Sequence, residues 1–384
     1  MPNTVQPFVL DNPQADLDDL KARLSRTRWP TKSPVEDSRQ GPPLLKVQAL
    51  VAYWSEQYDW RRCERLLNSW GQYVTEIDGI SIHFLHIRSP HKEAMPLLMT
   101  HGWPGSVLEF RHVIDRLVNP TEHGGTAEDA FHLVIPSLPG FGFSGKPEES
   151  GWNPMRVAMA WKVLMQRLGY ERWSAQGGDW GAMVTMMLGH MAPNELAGIH
   201  LNFVPFQPTD AEVANADASE KAMLADAKRY DQEFSGYMKL QCSRPQSIAF
   251  SLADSPVGLA AWIYALFQDV SDSDGNPERV FSFDEMIDDI MLYWLPNTGP
   301  SSVRFYWEAA QAMAENDGKQ QKMQTPMGIS MFSGEQVRLS RRWADARFDN
   351  IVHFAEHEKG GHFAAMEAPE AFVDDLRETF RSLR

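Results

Sequence analysis

Cysteine is scarce in this chain: Cys63 and Cys242 are the two present in 384 residues. Two cysteines make no disulfide framework, and the scarcity fits a reducing compartment. Basic charge is also in deficit, with 36 Lys and Arg against 51 Asp and Glu, a formal net charge of −15. Nucleic acid and anionic membrane surfaces both demand a basic face, so neither is an expected partner. No apolar run approaches the roughly 18 residues of a membrane span. The start, "MPNTVQPFVLDNP", lacks the basic-then-apolar order of a signal peptide. Repeats and low-complexity tracts are missing as well. The expectation is a soluble, cytoplasmic protein without membrane attachment.

What is present is an ordinary globular composition, 43% apolar and 23% charged, long enough for one large domain or two small ones. Thirteen tryptophans are many, and several lie beside the motifs below, which suggests an aromatic-lined pocket.

Residues 1–70 read as mostly helical: "ADLDDLKARLSRTRW" and "LLKVQALVAYWSEQYDWRRCERLLNSW" repeat apolar residues at helical spacing. The pattern then changes. "YVTEIDGISIHFLHI" gives two alternating strands around the turn Asp78-Gly79. "PLLMTHG", "FHLVIPSLPG" and "RWSAQGG" are short apolar runs, each followed by a helix-length segment (near 106–118, 154–168 and 181–191), and "LAGIHLNF" ends the series. Strands alternating with helices predict a mainly parallel α/β sheet covered on both faces. From Val204 to Lys322 the strand signal vanishes, then "PMGISMFSG", a helix near 339–345 and "NIVHFAEH" resume the sheet. The organisation predicted is a helical N-terminal region (1–75), an α/β core (76–203 and 323–384), and a helical cap (204–322) inserted after the sixth strand.

Within that frame, "SAQGGDWGAMV" places Asp179 between glycines on a turn from strand to helix. Gly177-Gly178-Asp179-Trp180-Gly181 matches the small-x-nucleophile-x-small elbow, with aspartate where esterases carry serine. Taken alone, Asp179 is either that nucleophile or a cap on the helix that follows. An ordinary aspartate is ionised at pH 7 and needs no base to attack, but the ester it forms needs one to be hydrolysed. His362, in "KGGHFAAMEAPE", comes last in the chain, as the order nucleophile, acid, histidine requires. The acid should follow the penultimate strand, where Glu335 lies at the carboxyl end of "MGISMFSGEQ", with Asp345 and Asp349 as competitors. "THGWPGS" follows a central strand, as the oxyanion-hole loop of this fold does. The backbone N–H groups of Trp103 and Trp180 are the expected donors, and Trp103-Pro104 is a candidate cis bond.

Three look-alikes are set aside. "VSDSDGNPERVF" imitates a calcium loop but has Val270 and Phe281 at the first and last ligand positions. The histidines of "HEKGGH" are five apart and its glycines break a helix, unlike the zinc motif. His353 and His357 lie in strand-like sequence, where a four-residue spacing is not expected to bring both to one metal. No metal or organic cofactor is expected.

"HGWPGS", "GGDWG", "SPVGLAAWI", "RFYWE" and "GGHFAA" together resemble the epoxide hydrolases of the α/β-hydrolase fold, of the microsomal and juvenile-hormone type. The likeness spans nearly the whole chain, including the helical N-terminal region. The resemblance implies conversion of epoxides to vicinal diols through an ester on Asp179, with Glu335 and His362 completing the triad. It also implies two cap tyrosines that polarise the epoxide oxygen: "SGYMKLQC" gives Tyr237 and "VRFYWEA" gives Tyr306. Two phenols suit that task because they donate yet stay protonated at pH 7. Tyr264 and Tyr293 are conceivable substitutes, with core packing the alternative role. Microsomal members carry a membrane-anchoring start; no such segment is recognisable here. The partners expected are a small apolar epoxide and water, and a homo-oligomer is compatible with the sequence. Two rival readings stay open: a haloalkane dehalogenase, in which Trp180 would hold halide, and a non-catalytic ligand-binding protein of the same fold.

Overall fold

The computed structural model describes residues 4–315 and 322–384. The first three residues and 316–321, at the end of the expected insertion, lie outside that range. Nine strands form one sheet: β1 (Gln6–Phe8), β2 (Gln72–Ile77), β3 (Ile80–Ile87), β4 (Met95–Thr100), β5 (Phe131–Pro136), β6 (Trp173–Gly177), β7 (Leu196–Leu201), β8 (Met327–Phe332) and β9 (Ile351–His357). Their spatial order is β1-β2-β3-β5-β4-β6-β7-β8-β9. Pairing is antiparallel from β1 through β3 to β5 and parallel from β5 to β9. The inner parallel strands are buried on both faces, which is why β4 and β8 read as near-continuous apolar runs, while the edge strand β9 is only partly buried. At the β2–β3 turn Asp78 and Gly79 both take positive φ, 51° and 77°, as a two-residue hairpin of this kind demands.

The sheet has one strand more than the sequence predicts. β1 lies in the otherwise helical N-terminal region and adds to the open edge of β2, so the helical insertion follows the seventh strand, not the sixth. Three residues carry no readable alternation; an available edge defines such a strand. The segment after "HGWPGS" also differs: in place of one helix near 106–118 it forms a 3₁₀ turn, Val107–Phe110, and a short helix, Ile114–Val118.

Between β7 and β8 the helices Ala218–Arg229, Gly236–Ser243, Pro245–Asp254, Pro256–Val270, Phe283–Trp294 and Gly299–Glu315 build the cap. The N-terminal helices Leu44–Glu56 and Trp60–Ser69 pack against its outer members. Asp288, wholly buried on Phe283–Trp294, fastens the pieces together. Its carboxylate accepts from Arg62 at 2.8 Å, from Arg111 of the core at 2.7 Å, and from the Tyr58 hydroxyl at 2.7 Å. A buried carboxylate needs such compensation, so loss of one partner would be costly. The cap is thereby held over the carboxyl ends of the parallel strands, where this class of sheet gathers its chemistry.

Candidate active site

The site starts at the end of β6. Asp179 has φ +48°, an uncommon conformation for a non-glycine residue and a mark of strain at functional turns. Its neighbours permit the turn by having no side chain: a Cβ on Gly177 would strike the carbonyl of Gly181, and one on Gly181 the carbonyl of Thr100. The helix Asp179–Met191 is preceded by Gly178 and has no side-chain cap, so Asp179 does not cap it. Its carboxylate points the other way. Oδ1 accepts the backbone N–H of Trp103 at 2.7 Å, and Oδ2 lies 3.4 Å from His362 Nε2. Trp180 follows in the first helical turn, where backbone N–H groups have no acceptor within the helix. The Trp103-Pro104 bond is cis.

His362 lies beyond β9, its backbone N–H given to Val270 of the cap at 3.1 Å. Nδ1 meets Glu335 Oε2 at 2.7 Å. Glu335 is held by two backbone donors, Gln336 at 2.7 Å and Val337 at 3.3 Å, on Oε1. Burial alone would lower the basicity of His362; the adjacent carboxylates of Glu335 and Asp179 outweigh it and hold the imidazole well above its ordinary value. The imidazole thus sits between two carboxylates that favour its protonated form. Asp345 and Asp349 take no part: they pair with Arg341 and Lys322 on the surface.

From the cap, Tyr237 and Tyr306 line the same cavity as Asp179, Glu335 and His362, with a volume of about 900 Å³. Tyr237 stacks on Trp103 at 5.4 Å, and Tyr306 stands edge-on to Trp180 at 4.7 Å. Burial raises both phenols well above their usual range, and the charge on Asp179 acts in the same direction, so both keep their protons. The Tyr306 hydroxyl and the Trp180 indole N–H are buried and make no hydrogen bond of good geometry, but the Trp180 indole and the Tyr237 hydroxyl lie close enough to Tyr306 to act against its burial. The other tyrosines weighed from sequence are structural. Tyr264 bonds Glu278 at 2.8 Å and Tyr293 the Gly105 carbonyl at 2.5 Å. Methionines 183, 186, 187, 238 and 313 and the rings of Phe203 and Phe206 make the remaining wall largely apolar and adaptable.

Two residues at the site escape the sequence reading. Tyr230 also lines the cavity, with its hydroxyl 2.8 Å from that of Tyr237. The signal that could have found it is the seven-residue spacing, two helical turns, that sets both tyrosines on one face. Glu109 is buried behind the oxyanion loop, its Oε2 filling the space a Cβ on Gly105 would occupy. Burial pushes its carboxyl up to about 8, although His362 pulls the other way.

The look-alikes resolve as well. Val270 and Phe281 are core residues. His353 and His357 lie on one face of β9, and their Nε2 atoms meet the two oxygens of Asp375 at 2.9 and 2.6 Å. Among the described residues no group of three or more His, Cys, Asp or Glu could hold a metal ion, and no helix is long and apolar enough to cross a membrane.

Comparison with known proteins shows the family of the chain. The model of the epoxide hydrolase N terminus matches residues 5–110, and that of the alpha/beta hydrolase fold matches residues 95–240. A protein of Stigmatella aurantiaca (strain DW4/3-1) named "Putative epoxide hydrolase" is 51% identical over 99% of this chain and 86% of its own length. Epoxide hydrolase 1 of Sus scrofa is 33% identical over 97% of this chain and 88% of its own. The chain belongs to the epoxide hydrolases. The solved epoxide hydrolase of Aspergillus niger superposes on this epoxide hydrolase with a TM-score of 0.88 at 30% identity, covering 99% of this chain and 97% of that one. The juvenile hormone epoxide hydrolase of Bombyx mori gives 0.90 at 29% identity, covering 99% and 95%.

Proposed function

We propose that this epoxide hydrolase opens its substrate through a covalent ester on Asp179. Asp179 attacks one epoxide carbon; the carbon–oxygen bond breaks, and the departing oxygen takes a proton from a cap tyrosine. The resting proton on His362 then restores the tyrosine through solvent, because esterification removes one of the two carboxylates that held it. Neutral imidazole, oriented by Glu335, next takes a proton from water as the hydroxide adds to the ester carbonyl. The backbone N–H groups of Trp103 and Trp180 receive the oxyanion. Collapse expels the diol, protonated by His362, and the regenerated Asp179 acid returns its proton to the imidazole.

The observation that carries this reading is the Asp179 carboxylate held between the Trp103 N–H and His362, in a cavity that the Tyr237 and Tyr306 side chains enter from the cap. A haloalkane dehalogenase would use the same carboxylate and the free Trp180 N–H, but has no use for two phenols there. The largely apolar cavity suits a small apolar epoxide, which enters with water as the second substrate. The cap (204–322) lines it together with the core (76–203 and 323–384), which carries the triad, while the N-terminal region (1–75) supplies none of the described lining residues. With two free cysteines the enzyme suits the cytoplasm.

A single turnover of an aryl epoxide in heavy-oxygen water tests the ester. The first diol should carry an unlabelled oxygen from Asp179, and Asp179→Ala should abolish turnover. Labelled oxygen in that first diol would exclude the covalent route.

A further inference from the structure

We infer that Tyr230 is a positioning residue which donates its hydroxyl proton to the Tyr237 oxygen, making Tyr237 the tyrosine that gives its proton to the opened epoxide while Tyr306 holds it only by hydrogen bond. This rests on the ester reading above and adds a division of labour between the two cap tyrosines.

The two phenols differ in their surroundings. The Tyr237 oxygen lies 2.8 Å from the Tyr230 hydroxyl, whereas the Tyr306 hydroxyl, with the Trp180 indole and Tyr237 as its nearest polar neighbours, makes no hydrogen bond of comparable geometry. A phenol has one proton to give and two lone pairs with which to accept. When Tyr237 spends its proton on the substrate, the short contact survives only with Tyr230 as donor. The chain then runs Tyr230 to Tyr237 to epoxide oxygen, and such chains polarise each successive donor. The direction matters most after proton transfer. A phenolate on Tyr237 keeps a charge-assisted hydrogen bond from Tyr230 over a contact already formed at 2.8 Å, while a phenolate on Tyr306 has no hydrogen bond of that geometry in place. Proton transfer therefore favours Tyr237.

Local backbone holds this relay in register. Tyr230 opens a π-helical turn, Tyr230–Phe234, between the cap helices Ala218–Arg229 and Gly236–Ser243. Insertions of this kind concentrate at functional sites. The Ser235 hydroxyl and the Lys239 ammonium both donate to the Asp231 carbonyl, at 2.6 and 2.7 Å, and tie the turn down.

The test is Tyr230→Phe in the full chain, with ester formation and ester hydrolysis separated by stopped-flow tryptophan fluorescence, for which Trp103 stacked on Tyr237 is a natural reporter. Ester formation should slow about tenfold, the cost of one hydrogen bond to a developing charge, and ester hydrolysis should not change. The slowing should vanish in a Tyr237→Phe background and persist in a Tyr306→Phe background. Ester formation within twofold of the parent, or equal slowing with Tyr237 already removed, would overturn the inference. If Tyr230→Phe does not fold, 3,5-difluorotyrosine at position 230, a stronger donor of nearly the same shape, should accelerate ester formation; an unchanged rate would overturn it equally. A parent enzyme whose first diol carries solvent oxygen would instead refute the ester reading itself.

Discussion

Tyr306→Phe should make this enzyme more stable and much less active. The Tyr306 hydroxyl lies in a residue only 2% exposed and makes no hydrogen bond of good geometry, with the Trp180 indole and the Tyr237 hydroxyl its nearest polar neighbours. A buried hydroxyl that makes no hydrogen bond costs up to about 1–3 kcal/mol. Phenylalanine keeps the ring, its edge-on contact with Trp180 and its contact with Trp103 at 5.7 Å, so the penalty is relieved with little loss of packing. For 384 residues, at about 2.1 cal/mol/K each, the unfolding entropy is about 0.8 kcal/mol/K. The relief then corresponds to a rise in Tm of about 1–4 °C. Activity should move the opposite way. If Tyr306 meets the oxygen on which charge develops, its removal should slow ester formation by about a hundredfold, as for an oxyanion donor.

Tyr237→Phe supplies the contrast within one experiment. It also removes a phenol from the site, but breaks the 2.8 Å contact with Tyr230 and leaves that hydroxyl unpaired. Its Tm should be unchanged or lower. Calorimetry on the three proteins, beside single-turnover rates, reads both quantities. A drop in Tm for Tyr306→Phe would show that its hydroxyl is satisfied in the free enzyme. A rate within a few-fold of the parent would show that it does not face the reaction.

Two further outcomes follow from the triad and its surroundings. His362→Gln should stop ester hydrolysis while leaving attack by Asp179 intact, so mass spectrometry should find one substrate attached to the peptide containing Asp179; an inactive variant with that peptide unmodified would contradict the assigned base. Glu109 has its carboxyl raised by burial to about 8, so the stability it contributes is complete below the ordinary carboxylate range and is lost as pH rises towards 8. Glu109→Gln should therefore gain in Tm relative to the parent between pH 5 and 9, and parallel Tm curves would place the ionised carboxylate in water instead.

Much of the sheet and the elbow is legible in the sequence because both depend on local spacing. Period-two alternation, apolar runs of strand length and glycines flanking Asp179 are constraints that neighbours in the chain impose on one another. The order of Asp179, Glu335 and His362 carries further because the fold fixes which strand ends meet. What escapes is what depends on a distant partner. β1 is a strand only because β2 offers an edge. Asp288 looks like any acid on an amphipathic helix until Arg62, Arg111 and Tyr58 close on it from elsewhere in the chain. His353 and His357 are linked by Asp375 on the C-terminal helix, a meeting that spacing along β9 does not reveal. Tyr230 shares a helical face with Tyr237, but the contact of the two hydroxyls depends on the π-turn between them.

The electrostatics of the triad explain why one histidine serves both halves of the proposed cycle. In the resting enzyme two carboxylates face the imidazole, Glu335 at 2.7 Å and Asp179 at 3.4 Å, and together they overcome its burial to keep a proton on it. A protonated imidazole cannot act as a base, so the resting enzyme is set for attack and not for hydrolysis. Ester formation neutralises Asp179, and at an effective dielectric of about 20 a unit charge at 3.4 Å is an attraction of roughly 5 kcal/mol. Removing it lets burial, which disfavours the charged ring, weigh against Glu335 alone. The imidazole then yields its proton at the moment a base is needed. Once the diol has left, the restored carboxylate draws the proton back. In the proposed cycle the second step is thus armed by completion of the first, through a single change of charge 3.4 Å from His362.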